Sequence, residues 1–344
     1  MDANSLAVRH RPLLGGARVP LRAHAVAIAR SRVLRGVVRR LLLAVPLLIV
    51  VSSLSFALVS ATGDPGRTVL GAGATPQQVA AVDHQLGFDQ PVYTQYWHWL
   101  GHAVHGDLGA SLFTQEPVTQ TLSERFPVTL SLILGSILVT VVIGVFLGVY
   151  SAVRGGVLGR FADVLSLAGF ALPSFWVGAM LVVLFAVKLH WLPAIGYVPF
   201  AQSPSQWLRS LVLPVTALSL AGVATLAKQT REAMLDVLAN EHVRMAWANG
   251  IPPRLIYYRL ALKNVSLRIV TIVSLQLVYM LTGTLFVEQV FALPGLGSIF
   301  AASAAQGDLP VVQGITVLFT VIIVLVNLVA DVLYTLIDPR VRAS

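Results

Sequence analysis

The feature that most constrains this chain is a series of apolar runs, each close to twenty residues or longer and nearly free of charge. A helix rises 1.5 Å per residue, so about 20 apolar residues cross the hydrocarbon of a bilayer. Runs of this kind lie at about 41–61, 128–153, 161–188, 211–230, 269–287 and 311–337. In lipid each backbone N–H and C=O must be satisfied within its own segment, which makes every run a helix. The expected fold is an all-α membrane protein with six spans. Composition agrees: 56% of the residues are hydrophobic and 11% charged, against about 25% charged in soluble domains.

Six spans put both termini on one side, and Lys and Arg choose the side. The N-terminal tail, the 154–160 turn, the 228–268 segment and the tail after Asp338 hold nine, two, seven and two basic residues, or 20 of 24. The opposite loops hold Arg67, Arg125, Lys188 and Arg209. By the positive-inside rule both termini and residues 228–268 face the cytoplasm. The net charge of +9 is thereby a matter of orientation, and nucleic acid is not an expected partner. Residues 1–36 read as a flexible basic cytoplasmic extension ending near the lipid, with a transit peptide as the rival reading. Val59-Ser60-Ala61 resembles a cleavage site, yet the run before it is too long for a signal core, so the first span is read as uncleaved.

Residues 62–127 form the longest polar insertion, with a Gly63-Asp64-Pro65 corner, a Gln-rich helix near Pro76 and the aromatic stretch YTQYWHWLGHAVHGDLG. His98, His102 and His105 share one helical face there. They suit either a metal-capturing face or an interfacial helix at the headgroups. Gly144 and Gly148 are spaced for close helix packing, and the third span is broken near Pro173-Ser174. The 189–210 loop carries Pro and Trp suited to the interface.

The segment Lys228–Arg268 is too polar for lipid and too well punctuated for a loose linker. Glu241 to Asn249 predicts a short helix, Gly250 a left-handed C-terminal residue, and Pro252-Pro253 a restart. Small residues at Ala246 and Ala248 would allow a partner surface to approach closely.

Catalytic patterns are missing. The chain has no HExxH, GxSxG or GxxxxGK[ST] and no cysteine, so no thiolate metal site, no visible nucleophile and no nucleotide bound through a phosphate loop is expected. Energy for work against a gradient must come from ions or another chain. Candidates for the pathway are Pro173, Ser174, Gln276, Glu288 and Asp331, although Asp331 reads rather as an ion pair or cap near the cytoplasmic face.

Several stretches carry a family resemblance: RRLLLAVPLLIVVSSLSF with Gly63-Asp64-Pro65, HGDLGASLFTQEPV, RFPVTLSL, LPSFWVG at 172–178, and VEQVFALPGLGSIFAASAAQGDLPVVQG with LVNLVADVLYTLIDPRVR. Over roughly 37–342 the chain resembles the permease subunits of bacterial binding-protein-dependent ABC importers, in the oligopeptide/dipeptide/nickel branch. The resemblance implies a type I permease: a polytopic six-helix bundle, domain 37–344, in the cytoplasmic membrane, with a coupling helix in the 228–268 loop. Arg244-Met245-Ala246 takes the place of Glu-Ala-Ala. Ala246, Ala248, Gly250 and Ile251 match the motif, so the implied docking set is Glu241, Arg244, Met245, Ala246, Ala248, Asn249, Gly250 and Ile251. Arg268 departs from the pattern, since a proline would often follow the Asn264 region, which bears on how the fifth span begins.

The implied partners are a second homologous permease, two ATPase subunits holding ATP and Mg²⁺, an extracytoplasmic solute-binding protein meeting residues 62–127, and the bilayer. The implied cargo is di- or oligopeptides, with nickel chelates or another small solute as alternatives. An ion-coupled secondary transporter or channel is the competing class, and a membrane enzyme or scaffold a third.

Overall fold

The computed structural model describes residues 21–62, 65–71, 73–156, 169 and 172–337, with side chains from Val37 onward. Expectations about residues 1–20, Gly63-Asp64, the start of the third span and the tail after Ile337 lie outside these residues. Eleven helices follow in order among the described residues: α1 Leu21–Thr62, α2 Pro65–Leu70, α3 Pro76–Leu86, α4 Val92–Val104, α5 Val118–Arg154, α6 Ser174–Lys188, α7 Pro204–Leu238, α8 Glu241–Ala248, α9 Pro253–Val290, α10 Leu296–Gln306 and α11 Leu309–Ile337. Stretches of α1, α5, α7, α9 and α11 are long and apolar enough to cross a membrane, and α6 is a shorter apolar helix completing the third span.

Four helices exceed the expected bounds of their spans, the fifth span running back to Pro253 as α9. The first begins at Leu21, so the second half of the basic extension runs helically into the first span. Residues 21–35 contain no Gly or Pro, and Ala, Leu and Arg favour helix. The second span begins at Val118 rather than 128, because Pro127 is accommodated within the helix and Val118 and Leu122 find a buried apolar cluster with Leu296, Val311 and Ile315. The fourth runs unbroken from Pro204 to Leu238, with Ser203 accepting the Gln206 N–H as its cap.

Helices α5 and α7 lie side by side and parallel, and theirs is the most extensive helix contact. Glycine permits it. A Cβ on Gly148 would stand 2.6 Å from Thr230 Cβ and 2.7 Å from the Ala227 carbonyl, and one on Gly222 would meet Thr140 at 2.9 Å. Helix α9 runs antiparallel to α7, Met280 against Gly222 and Leu218 against Gly283. Together α5, α6, α7 and α9 enclose a core of Val128, Leu132, Val177, Ala217, Met280 and Val287.

Helices α1 and α11 form a second antiparallel pair. Gln313 donates to the Ser52 carbonyl at 2.8 Å, Ser55 and Thr316 hydroxyls lie 3.3 Å apart, and Arg40 pairs with Asp331. Lipid offers no water to compete for these groups, so polar contacts hold spans together. The aromatic stretch packs α4 onto α1: Tyr96 joins Phe56 and Trp99, and its hydroxyl lies 2.9 Å from Ser52 Oγ. Two distant motifs are tied where Ser111 donates to Asp308 at 2.5 Å and the Leu112 N–H to the same carboxylate at 3.2 Å.

The α5–α7 contact yields a prediction. Gly148→Leu has no room on the Thr230 side and should destabilise by about 1–3 kcal/mol or more, read as a lower unfolding temperature in detergent. Gly101→Leu, where a Cβ meets nothing within 4 Å, should leave that temperature within a degree or two.

Candidate functional site

The end of the bundle opposite residues 65–117 carries α8, suspended between the last turn of α7 and the first of α9. It closes as the sequence predicts. Gly250 has φ 72°, its N–H donates to the Trp247 carbonyl at 3.0 Å, and the Ile251 N–H donates to Ala246 at 3.2 Å. These are the two bonds of a Schellman cap. Pro253 then starts α9, whose first turns include a π-helical stretch, Ile256–Ala261.

The faces of α8 are unlike. Val243 is fully buried and Ala246 6% exposed, packed with Ile256, Val237, Leu238 and Leu260. Glu241, Arg244, Met245 and Ala248 point outward, with Met245 67% exposed. Their spacing of i, i+3, i+4 and i+7 makes one stripe. The reading of Ala246 as a site of close approach is therefore corrected: its methyl is turned into the chain's own loop, and Ala248 alone of the two is on the open face. Asn249, Gly250 and Ile251 are exposed beside it. Trp247, 40% exposed and edge-on to Tyr257 at 5.9 Å, was not in the expected set. An exposed indole beside an exposed thioether would have been the signal. Arg268 does not disturb the fifth span. The helix passes through it, and its guanidinium lies 3.5 Å from Asp236 on α7.

The pathway candidates divide into two groups. Pro173 is exposed and precedes α6, and Ser174 faces Gly283 of α9, whose Cβ would stand 3.9 Å from its hydroxyl. Gln276, half-buried, lies on the same α9 face as Gly283, two turns away. Asp331 is held by Arg40 instead, the ion-pair alternative read from the sequence. Glu288 is fully buried. Its Oε1 accepts from Thr129 Oγ1 at 2.6 Å and its Oε2 from the Ser298 N–H at 2.9 Å, while Thr129 Oγ1 accepts from the Leu296 N–H at 2.8 Å. A carboxylate thus sits at the N-terminus of α10, where orphan N–H groups and the helix dipole favour negative charge. Gly295 must be glycine here, since a Cβ would fall 2.3 Å from the Glu288 carboxyl.

At the C-terminal end of α4, His105 Nδ1 lies 2.8 Å from the Gly101 carbonyl and His102 Nδ1 3.8 Å from Asp107. Among the described residues no group of three or more His, Cys, Asp or Glu side chains could hold a metal. At the same end, the Trp- and Pro-containing loop walls a recess of about 520 Å³ with Trp191, Tyr197 and Arg209.

Comparison with known proteins adds a family. Residues 140–343 match the model described as binding-protein-dependent transport system inner membrane component, and residues 33–133 match that of its N-terminal region. A putative peptide transport system permease protein of Brucella abortus (strain 2308) is 38% identical over 308 residues, 89% of this chain and 98% of the relative. A probable peptide ABC transporter permease protein of Sinorhizobium fredii is 37% identical, and the glutathione transport system permease protein GsiC of Escherichia coli (strain K12) 36%, both with the same coverage.

The Glu288 network can be tested directly. Glu288→Ala removes two hydrogen bonds and leaves the Ser298 N–H unpaired, at about 1–3 kcal/mol. Thr129→Val leaves the Leu296 N–H unpaired at about 1–3 kcal/mol. Both should lower the unfolding temperature in detergent, and the double variant should lose less than the sum, since the residues share one network.

Proposed function

We infer the function of this chain from the family to which it belongs, the inner membrane components of binding-protein-dependent transport systems: it is the membrane-spanning permease subunit of an ATP-driven importer of di- or oligopeptides. The cargo reading draws on relatives whose names speak of peptides and of glutathione. The subunit works with a binding protein and ATPases. We take the assembly to be two homologous permeases, two ATPase subunits that carry the ATP and Mg²⁺, and one extracytoplasmic binding protein meeting residues 62–127. Both termini and α8 face the cytoplasm, as the 20 of 24 basic residues on that side indicate. The subunit itself is not catalytic.

The two faces of α8 carry this reading. One face is anchored by Val243 and Ala246, while the other presents Met245 between Glu241, Arg244 and Ala248. A flexible, polarisable side chain rimmed by charge is suited to a groove on a partner. A loop that only reversed the chain would gain nothing by exposing it. ATP-driven closure of the ATPases moves α8 and turns the pathway between inward- and outward-facing states. The ion-coupled alternative draws no support from Glu288 and Asp331, because both carboxylates are engaged within the chain.

The test is ATP-dependent uptake in proteoliposomes by the co-expressed complex. Met245→Glu should weaken ATPase association by about 30-fold or more, as loss of a central apolar contact of at least 2 kcal/mol implies. Uptake should fall with it while the chain stays inserted. Gly250→Pro should do the same, because proline cannot adopt φ 72°. Uptake that persists without ATP and tracks an ion gradient would sink the importer reading. Competition between di-, tri- and longer peptides and nickel chelates decides the cargo.

A further inference from the structure

Helix α4 divides lengthwise into three stripes. Tyr96, Trp99 and Leu100 pack on Phe56 and Val59 of α1, with the Tyr96 ring 5.7 Å from that of Phe56. Beside them Tyr93, Trp97 and Val104, at spacings of four and seven, share a second stripe. These three side chains are 70, 60 and 77% exposed, so the chain covers only half of the apolar arc. His98, His102 and His105 form the third stripe, on the opposite side and also exposed. The helix carries no Asp, Glu, Lys or Arg. It is amphipathic without formal charge, and a bare aromatic quarter separates its buried side from its polar side.

The depth of α4 follows from α1. Arg40 pairs with Asp331, and charges of this kind mark the cytoplasmic edge of the hydrocarbon. About 30 Å of hydrocarbon takes about 20 residues of helix, which sets the outer edge near Ser60. Phe56 lies inside that edge by about 6 Å, the depth at which an amphipathic helix rests in a bilayer interface. The contact gathers Tyr96, Trp99 and Leu100 over Phe56 and Val59, one turn of each helix, so α4 crosses α1 instead of running beside it. Below the crossing the same face of α1 continues through Ser52 to Ile49, Val45 and Leu42, at spacings of three and four. The last three are exposed. Helix α4 therefore overhangs an uncovered apolar surface at membrane depth.

We propose that α4 is an interfacial anchor seated in the outer leaflet, with Tyr93, Trp97 and Val104 among the glycerol esters and upper acyl chains of phospholipids. Tyrosine and tryptophan suit this seat, since each joins an apolar ring to a polar tip. The three imidazoles form the wet side of the helix, toward the headgroups. With no formal charge on α4, the seat asks for no particular headgroup charge. The anchor holds the outer end of the first span at a fixed height. It also leaves the remainder of residues 62–127, and not this helix, to a soluble partner. This seat in the bilayer is independent of the cargo.

The chain contains no cysteine, so single cysteines at these exposed positions can each carry one fluorophore. Tyr93→Cys, Trp97→Cys and Val104→Cys would be compared with His98→Cys and His102→Cys. The full complex is reconstituted in phosphatidylcholine vesicles, with and without added phosphatidylglycerol. Lipids spin-labelled near the ester end of the acyl chain should quench the first three positions about threefold more than the histidine positions, because the apolar face of an interfacial helix lies within the acyl boundary. Aqueous iodide should rank the positions the other way, and both rankings should hold in either lipid. Strong iodide quenching at all five positions would overturn the proposal, as would a ranking that requires phosphatidylglycerol. Shielding of Trp97→Cys from iodide that appears only when the binding protein is added would overturn it in favour of protein docking. Indifference to both quenchers, with ready cross-linking to the second permease, would overturn it in favour of a subunit interface.

Discussion

The parallel contact between α5 and α7 is the constraint on which the rest of the bundle depends. Both helices are surrounded by apolar material, so neither is driven toward the other by escape from water. What holds them is the closeness that missing side chains permit. With Gly148 against Thr230 and Gly222 against Thr140, the pair becomes a slab. Helix α9 packs across one side of it and α6 closes its edge. Helices α1 and α11, zipped to each other by polar groups, then complete the arrangement.

Much of this was legible because the punctuation is local. Gly250, Pro252 and Pro253 act within a few residues of themselves, so the corner after α8 followed from sequence. The start of α5 did not. Thr119, Gln120, Ser123 and Glu124 look like loop, and only the burial of Val118 and Leu122 against a segment far along the chain makes them helix. The phase of α8 was also hidden. Two alanines announce smallness but not direction, and it is Val243 and Ile256 that decide which way Ala246 turns. The Ser111–Asp308 tie could not be read at all, although both residues lie in motifs that the sequence singles out, because nothing local pairs them.

Glu288 illustrates how an intramembrane carboxylate can be engaged internally. An acidic residue at the end of a span invites a role in ion traffic, yet this one has two hydrogen bonds that fasten the start of α10 to α5 and α9. The glycines of the same motif are the space the carboxyl group occupies. Sequence displays the glutamate and the glycines as neighbours, and the reason for their company appears only when the chain folds back.

The continuity of α7 and α9 has a mechanical consequence. Each is a rod of more than 30 residues, or about 50 Å at 1.5 Å per residue, and each ends at α8 with only two to four residues between. The cluster of Val243, Ala246, Ile256 and Leu260 takes up the remaining slack. A push on α8 is therefore not absorbed at a hinge beside it. It travels as the tilt of two levers into the body of the bundle.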